Sequence, residues 1–313
     1  MTTNLAFVFP GQGSQQVGML ESLYKQYPVI KDVFDEASDY LEFDVWQLAQ
    51  QGPERTLNQT VYTQPTMLVA DIAIWRLWQQ QQGDIPQVLA GHSLGEFAAL
   101  VAADTLSLRD AIYLVSQRAR LMQEAVPEGD SAMAAIIGLD SSTVVTLCDQ
   151  VNRPEERVAI ANFNSPQQIV VAGQVDGIDA LIEKAKYQGA RRAKKLPMSV
   201  PSHCFLLQQA AEQFKDILQE VWFFEPSIPV INNVDAQYLS KPEAIRDALY
   251  RQLFNPVRWV ETIEKMLQDY AIQVIIECGP NKVLTGLNRR IGDASTISLA
   301  QPEQFQVALK GEW

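Results

Sequence analysis

The sequence predicts an α/β fold with a mostly parallel sheet, into which a smaller domain with its own sheet is inserted. Three observations support this. Short apolar segments such as LAFVF and QVLAG alternate with helical patterns, which is typical of a parallel sheet covered on both faces. Glycine-rich turns follow two of these segments directly. Between residues 128 and 198 the element order changes to β-α-β-β-α-β, the ferredoxin-like motif.

The first strand and helix signals belong to the larger domain. Residues 5–10 form a short apolar run that ends at GQGSQ, which indicates a buried strand entering a tight loop. Residues 63–81 have the pattern of an apolar helix, with Pro65 near its first turn. Residues 87–91 predict a second buried strand. An amphipathic helix follows over residues 107–126, with Ser107 or a neighbouring residue as its N-cap.

The inserted segment has four strand signals and two helix signals. We place its last strand in RRAKKLPMSV, and its two middle strands are joined across Asn164, Ser165 and Pro166. The expected elements are strand 131–139, helix 141–151, strands 157–163 and 167–173, helix 175–190 and strand 191–200. We therefore assign residues 1–127 and 199–313 to a large domain, and residues 128–198 to a ferredoxin-like insertion.

The large domain resumes after the insertion with the same alternation of helix and strand. The patterns predict helix 206–221, strand 229–235, helix 242–254, and strand 273–279 with a helix after it. These segments complete the mostly parallel sheet.

Composition excludes several classes of protein. A net charge of −12 and a pI near 4.7 argue against a nucleic-acid partner, which would require a basic surface. Cys148, Cys204 and Cys278 are odd in number and widely spaced, so they predict neither a disulfide framework nor a zinc site and suit a reducing compartment. No apolar run approaches the roughly 20 residues that span a bilayer. We expect a cytoplasmic, monomeric protein without membrane contact.

The motif with the clearest chemical meaning is Gly91-His92-Ser93-Leu94-Gly95, which fits the nucleophile elbow G-x-S-x-G. In such an elbow the serine lies on a sharp strand-to-helix turn that leaves no room for side chains at the flanking positions. The helix that begins there directs its N–H groups and dipole at an anion forming beside the serine. Ser93 is therefore a candidate nucleophile.

A serine hydroxyl needs a base, and the chain has two histidines, His92 and His203. His92 is adjacent to Ser93, and neighbouring side chains diverge on a tight turn. His203 stands just before a helix, where the dipole favours the neutral imidazole that a general base requires. We therefore favour His203. No carboxylate is singled out as a third member of a triad, and Cys204 is more simply a buried filler than a rival nucleophile.

Arg118 is a charged residue on the apolar face of its predicted helix. At about 100° per residue, it falls in the apolar arc between Val115 and Met122, whereas Arg120 belongs to the polar arc. A buried, unpaired guanidinium costs several kcal/mol, so Arg118 must meet an anion. That anion is either an Asp or Glu of this chain or a carboxylate on a substrate. A serine nucleophile beside such an arginine predicts transfer of an acyl group that carries a carboxylate, and GQGSQ resembles a loop that could donate a second N–H to an oxyanion.

The chain resembles the malonyl-CoA:acyl carrier protein transacylases of bacterial fatty-acid synthesis. The resemblance covers nearly the whole chain in one unbroken order, through FVFPGQGSQ, TQP, GHSLGE, NFNSP, SVPSHC, NNVDA, QLFNPVRW and ECGPNKVLTGL. One departure is Phe97, where many relatives have tyrosine, and it affects no assigned role. The resemblance implies a hydrolase-like α/β domain with a ferredoxin-like insertion.

The resemblance also implies roles for individual residues. Ser93 would carry the malonyl ester, His203 would act as base and then acid, and Arg118 would bind the malonyl carboxylate. A main-chain carbonyl, that of Gln252, would orient His203 in place of an aspartate. The N–H groups of Gln12 and Leu94 would form the oxyanion hole, and Gln64 would line the acyl pocket.

The substrates implied are malonyl-CoA and the phosphopantetheine thiol of acyl carrier protein, in a ping-pong reaction that supplies malonyl carrier protein for chain elongation. No metal or redox cofactor is implied. Acyl carrier protein is acidic in this family, so docking needs a local basic patch. Arg191, Arg192, Lys194 and Lys195 form one candidate, and Lys282, Arg289 and Arg290 form another. Two alternatives remain: a serine esterase or thioesterase that uses the same pair, and a non-catalytic binding protein.

Overall fold

The computed structural model describes residues 4–127, 129–197 and 200–313. Up to the elbow helix its elements are β1 (Leu5–Phe9), α1 (Glu21–Tyr24), α2 (Val29–Ser38), α3 (Val45–Gln51), α4 (Glu54–Leu57), α5 (Thr60–Gln80), β2 (Val88–Gly91) and α6 (Gly95–Ala102). Next come α7 (Leu108–Glu124), β3 (Ser131–Ile137), α8 (Ser141–Val151), β4 (Val158–Ser165), β5 (Gln168–Gln174), α9 (Val175–Tyr187) and β6 (Arg192–Lys195). The last part contains a 3-10 turn (Phe205–Leu207), α10 (Gln208–Gln219), β7 (Val230–Ile231), α11 (Pro242–Gln252), α12 (Trp259–Asp269), β8 (Val274–Glu277), α13 (Val283–Asn288), β9 (Ser295–Ser298) and α14 (Pro302–Leu309).

The larger sheet is parallel and has five strands in the order β7-β2-β1-β8-β9. Every residue of β1, β2 and β8 is buried, because helices cover both faces of a parallel sheet and leave no polar side for the strands. On one face, α5 packs against α2, α6 and α7. The α/β fold class predicted from the sequence is confirmed.

The smaller sheet is antiparallel, with strand order β4-β5-β3-β6. Helices α8 and α9 cover one of its faces through apolar side chains that include Val144, Leu147, Ile178 and Leu181. The order of strands and helices along the chain is the predicted β-α-β-β-α-β. Glu128, Met198 and Ser199, at the predicted domain limits, lie outside the described residues, so the division at 127/128 and 198/199 stays a prediction.

Several predicted element limits were wrong. The strand expected over 229–235 is only Val230–Ile231, because the Asn232 side chain accepts hydrogen bonds from the N–H groups of Val234 (3.0 Å) and Asp235 (2.8 Å) and turns the chain. Strand β4 continues through Ser165, so the turn of the hairpin is shorter than expected.

The last strand of the insertion and the helix after it also differ from expectation. Strand β6 ends at Lys195, and the predicted remainder of that strand includes residues outside the described range. The helix expected from 206 opens as a 3-10 turn and becomes α-helical at Gln208. Elements α12, β9 and α14 were not expected from the sequence. Among the described residues, no helix is both long and apolar enough to cross a membrane.

Candidate active site

Ser93 lies on a strained turn between β2 and α6, and its φ is 54°. Two glycines make this turn possible. A Cβ on Gly91 would lie 1.8 Å from the carbonyl carbon of Gly95, and a Cβ on Gly95 would lie 2.0 Å from the carbonyl oxygen of Phe9. Neither distance is tolerable for a side chain, so the glycines of the predicted elbow are required by close backbone approach.

The turn is held by Asn233, the second residue after the short strand β7. Its Oδ1 accepts a hydrogen bond from the Ser93 N–H at 2.6 Å, and its Nδ2 donates to the Gly91 carbonyl at 2.6 Å. Asn233 is fully buried. It lies in the NNVDA motif, but nothing in the spacing of that motif indicates that it reaches the elbow.

The structure brings Ser93 and His203 together. The Ser93 Oγ lies 2.7 Å from His203 Nε2, and His203 Nδ1 lies 2.7 Å from the main-chain carbonyl oxygen of Gln252. A carbonyl only accepts hydrogen bonds, so Nδ1 must carry the imidazole hydrogen and Nε2 is left to accept the hydroxyl proton. Burial, assisted by the Arg118 charge, lowers the pKa of His203 to about 3. The imidazole is therefore neutral at neutral pH.

Neither of the two rivals considered in the sequence contacts Ser93 Oγ. His92 Nε2 bonds Asn164 Oδ1 at 2.8 Å, and the His92 ring packs against Trp259 with centroids 5.3 Å apart. Cys204 is buried, its Sγ donates to the Pro201 carbonyl at 3.3 Å, and burial raises its pKa to about 12. A thiol in that state is not a nucleophile at neutral pH.

Arg118 is buried, as its helical position predicted, with 1% of its surface exposed. Its Nη1 donates to Gln64 Oε1 at 2.6 Å, and its Nη2 donates to Gln252 Oε1 at 2.9 Å and to Ser93 Oγ at 3.3 Å. Its Nε has no partner among the described residues. Within the same residues no carboxylate forms an ion pair with it. Burial lowers the pKa of the guanidinium, but only to about 10. Arg118 therefore stays cationic beside the serine.

Glu96 is the nearby acid that raises the pKa of Arg118, and the two are separated by the Gln252 side chain. Glu96 Oε2 accepts from Gln252 Nε2 at 2.8 Å and from the Asn233 N–H at 3.0 Å. Burial raises the pKa of Glu96 to about 7, against these hydrogen bonds and the Arg118 charge, which lower it. Sequence reasoning assigned no role to Glu96, although it lies within GHSLGE.

The two proposed oxyanion donors belong to segments that are packed together. A Cβ on Gly11 would lie 2.5 Å from the His92 carbonyl oxygen and 3.6 Å from the Leu94 nitrogen. The GQG loop therefore lies against the elbow. The N–H groups of Gln12 and Leu94 have no main-chain acceptor in the described part of the chain, and both residues line the same cavity as Ser93.

These residues meet in a cavity of about 150 Å³. Besides the elbow, its walls include Gln64, Arg118 and His203, with Leu284 and Leu287 of α13 on another side. Among the described residues, no cluster of three or more His, Cys, Asp or Glu side chains could hold a metal ion. The cavity can therefore offer an activated hydroxyl, hydrogen-bond donors for an oxyanion and a cation for a carboxylate.

A serine–histidine pair on a strand-to-helix elbow, with main-chain donors beside it, is the arrangement of serine enzymes that transfer or hydrolyse acyl groups. The family model described as "Acyl transferase domain" matches residues 6–301. The chain therefore belongs to the acyl transferase family.

Within this family, relatives of one kind are similar over nearly the full length. The chain is 48% identical over 309 residues to the malonyl CoA-acyl carrier protein transacylase of Escherichia coli strain K12, covering 98% of this chain and 99% of the relative. It is 49% identical over 302 residues to the protein of that name from Haemophilus influenzae, covering 96% of each.

Solved structures show the same similarity. An acyl carrier protein S-malonyltransferase from Vibrio cholerae superposes with a TM-score of 0.94 at 48% identity, over 97% of this chain and 99% of that one. A malonyl-transacylase in complex with a type II PKS acyl-carrier protein superposes with a TM-score of 0.96 at 46% identity, over 99% of this chain and 100% of that one.

Proposed function

We propose that this chain transfers the malonyl group of malonyl-CoA to the phosphopantetheine thiol of acyl carrier protein, through a malonyl ester on Ser93, and so supplies malonyl carrier protein for fatty-acid elongation. One observation carries the proposal. The 2.7 Å contact between Ser93 Oγ and His203 Nε2 shares a cavity with a buried Arg118 that is not ion-paired within the described residues. A nucleophile beside such a cation suits an acyl group that ends in a carboxylate.

In the first half-reaction, His203 Nε2 takes the hydroxyl proton as Ser93 Oγ attacks the thioester carbonyl carbon. The oxyanion that forms is stabilised by the N–H groups of Gln12 and Leu94, which is supported by their place in the cavity wall. The carbon–sulfur bond then breaks, and the CoA sulfur leaves with the proton from His203. The malonyl group remains as an ester on Ser93.

The second half-reaction repeats these steps with a different thiol. His203 takes the proton of the phosphopantetheine thiol, whose sulfur attacks the ester carbonyl. When the tetrahedral intermediate collapses, Ser93 Oγ leaves and recovers its proton from His203. The Gln252 carbonyl, 2.7 Å from Nδ1, keeps the ring in the required orientation and stabilises the imidazolium present during each transfer.

Arg118 supplies the preference for malonyl. Its Nη2 lies 3.3 Å from Ser93 Oγ, so a carboxylate on the acyl group can reach the guanidinium while the carbonyl faces the serine. Gln64 and Gln252 hold the guanidinium through side-chain oxygens. Neutral amide oxygens hold the cation without cancelling its charge, which leaves it free to bind the substrate anion.

Each proton and electron pair in this cycle has a carrier among the side chains and thiols named, so we propose that the reaction needs no metal or redox cofactor. We also propose a cytoplasmic location. It is supported by three buried free cysteines, Cys148, Cys204 and Cys278, which suit a reducing compartment.

We propose that acyl carrier protein docks beside α13. This helix lines the cavity through Val283, Leu284 and Leu287, and the basic residues Lys282, Arg289 and Arg290 flank it. Arg290 Nη1 reaches Gln168 Oε1 at 3.0 Å, and Gln168 also lines the cavity. A basic patch at the cavity mouth would guide an acidic carrier despite the net charge of −12.

The proposal is tested by mass spectrometry of the intact protein after brief mixing with malonyl-CoA. We expect the mass of one malonyl group to be added, to disappear when acyl carrier protein is supplied, and to be absent in Ser93→Ala. Continued release of CoA beyond one equivalent per protein, without an acceptor, would instead indicate a thioesterase. No adduct and no CoA release would indicate a non-catalytic binding protein.

A further inference from the structure

Glu96 is a buried carboxyl group beside the site that the mechanism above does not use. It lies in the first turn of α6, and 2% of its surface is exposed. Burying a carboxylate is costly unless it is hydrogen-bonded, and here two donors, Gln252 Nε2 and the Asn233 N–H, converge on Oε2. The charged groups that act on it are Arg118 and Asp235.

Both hydrogen bonds end on the same oxygen of Glu96. A proton bound to the other oxygen, Oε1, would therefore leave them in place. The function of Oε2 is that of an acceptor, whether or not the carboxyl group is ionised.

The Gln252 side-chain amide lies between Glu96 and Arg118. Its Oε1 accepts from Arg118 Nη2 at 2.9 Å, and its Nε2 donates to Glu96 Oε2 at 2.8 Å and to the Ser93 carbonyl at 3.0 Å. A guanidinium only donates, and the two oxygens accept. Rotating the amide by 180° would place NH₂ against Arg118 and oxygen against oxygen, so only one orientation satisfies all the neighbours.

The main chain of the same residue accepts the His203 hydrogen bond at 2.7 Å. Gln252 thus contacts the base through its main chain and the arginine through its side chain. We propose that Glu96 is a positioning residue: by accepting from Gln252 Nε2 it fixes the amide so that its oxygen holds Arg118 beside Ser93, which sets the preference for a carboxylated acyl group. This inference rests on the proposed function and adds a residue that determines specificity.

Two variants of Glu96 separate positioning from general structural support. Glu96→Leu keeps a similar volume but removes the acceptor, and Glu96→Gln keeps one acceptor oxygen for both donors. In Glu96→Leu we expect the ratio of kcat/KM for malonyl-CoA to that for acetyl-CoA to fall by about 10-fold or more, as expected for losing a hydrogen bond in a buried charged network. In Glu96→Gln we expect the ratio to stay within about threefold of that of the unmodified protein.

The proposal is overturned if Glu96→Leu loses activity equally with both acyl groups or loses none, or if Glu96→Gln loses selectivity as far as Glu96→Leu. If Glu96→Leu fails to fold by circular dichroism, Gln252→Leu removes the same bridge from its other end while keeping the main-chain carbonyl. It should then lower the ratio by a similar factor, and an unchanged ratio would refute the positioning role. The unmodified protein serves as the reference: if it does not transfer malonyl, the proposed function fails, and the role of Glu96 is refuted only by the variants.

Discussion

Replacing Arg118 with alanine removes, from the described residues that line the cavity, the one cation that can neutralise a substrate carboxylate. In the proposed complex the malonyl carboxylate is desolvated against a guanidinium that is itself 1% exposed. Removing one partner of such a buried charge pair costs about 2–5 kcal/mol. Each 1.36 kcal/mol corresponds to a factor of ten, so kcat/KM for malonyl-CoA should fall by about 30- to 5,000-fold.

Acetyl-CoA provides the internal comparison, because its acyl group carries no carboxylate. We expect Arg118→Ala to transfer acetyl at least as well as the unmodified protein does, since the reaction no longer places a neutral methyl group beside a desolvated cation. The assay measures kcat/KM for both acyl-CoAs with acyl carrier protein as acceptor. Arg120→Ala is the matched control, because Arg120 is exposed on the same helix and pairs with Glu124. An equal loss with both acyl groups would show that Arg118 is structural.

Three further predictions follow from the pKa shifts and the charge distribution. Burial, assisted by the Arg118 charge, lowers the pKa of His203 to about 3, so its imidazole should not titrate near pH 6.5 by NMR; a midpoint there in the signal lost in His203→Ala would contradict this lowered pKa. Asp71 is buried, neither carboxyl oxygen has a partner among the described residues, and burial raises its pKa well above 3.8. Its ionisation in the unfolded chain therefore lowers the free energy of unfolding as pH rises above about 4. Asp71→Asn cannot ionise, so its free energy of unfolding, measured with urea, should exceed that of the unmodified protein by an amount that grows from pH 4 to 7. A difference that does not vary with pH would refute this. Arg290→Glu should raise the KM for acyl carrier protein by about 5- to 10-fold, whereas Lys194→Glu in the other basic cluster should not; the reverse result would move the docking site.

The sequence was sufficient to locate the groups whose position follows from local geometry. The G-x-S-x-G spacing predicted a turn at Ser93, and the structure has it at a positive φ. Helical periodicity placed Arg118 in an apolar arc, and it is buried. His203 was favoured because His92 is too close to Ser93 along the chain. Each inference used only residues within one or two turns of the motif, or the small number of histidines.

The remaining groups could not be predicted because they depend on which segments meet in space. The choice between a protein carboxylate and a substrate for Arg118 required knowing that Gln252, more than 100 residues away, lies between it and Glu96. The short strand β7 was predicted too long because Asn232 and Asn233 occur in an apolar context but use their side chains to turn the chain and to contact the elbow.

Asn233 explains how the elbow can persist although its serine adopts an unfavourable backbone conformation. A non-glycine residue in the left-handed region costs about 1–2 kcal/mol, and Ser93 has φ 54°. A typical net hydrogen bond contributes about 0.5–1.5 kcal/mol. The two bonds from Asn233, to the Ser93 N–H and the Gly91 carbonyl, are therefore of the size needed to offset that cost. Because Asn233 also donates its own N–H to Glu96, the residue that stabilises the nucleophile's turn is held by the same buried carboxyl group that orients Gln252. The geometry of the nucleophile and the position of the arginine are thus coupled through Glu96. In the described part of the chain, Glu96 itself forms no hydrogen bond with Ser93 Oγ or with the Arg118 guanidinium.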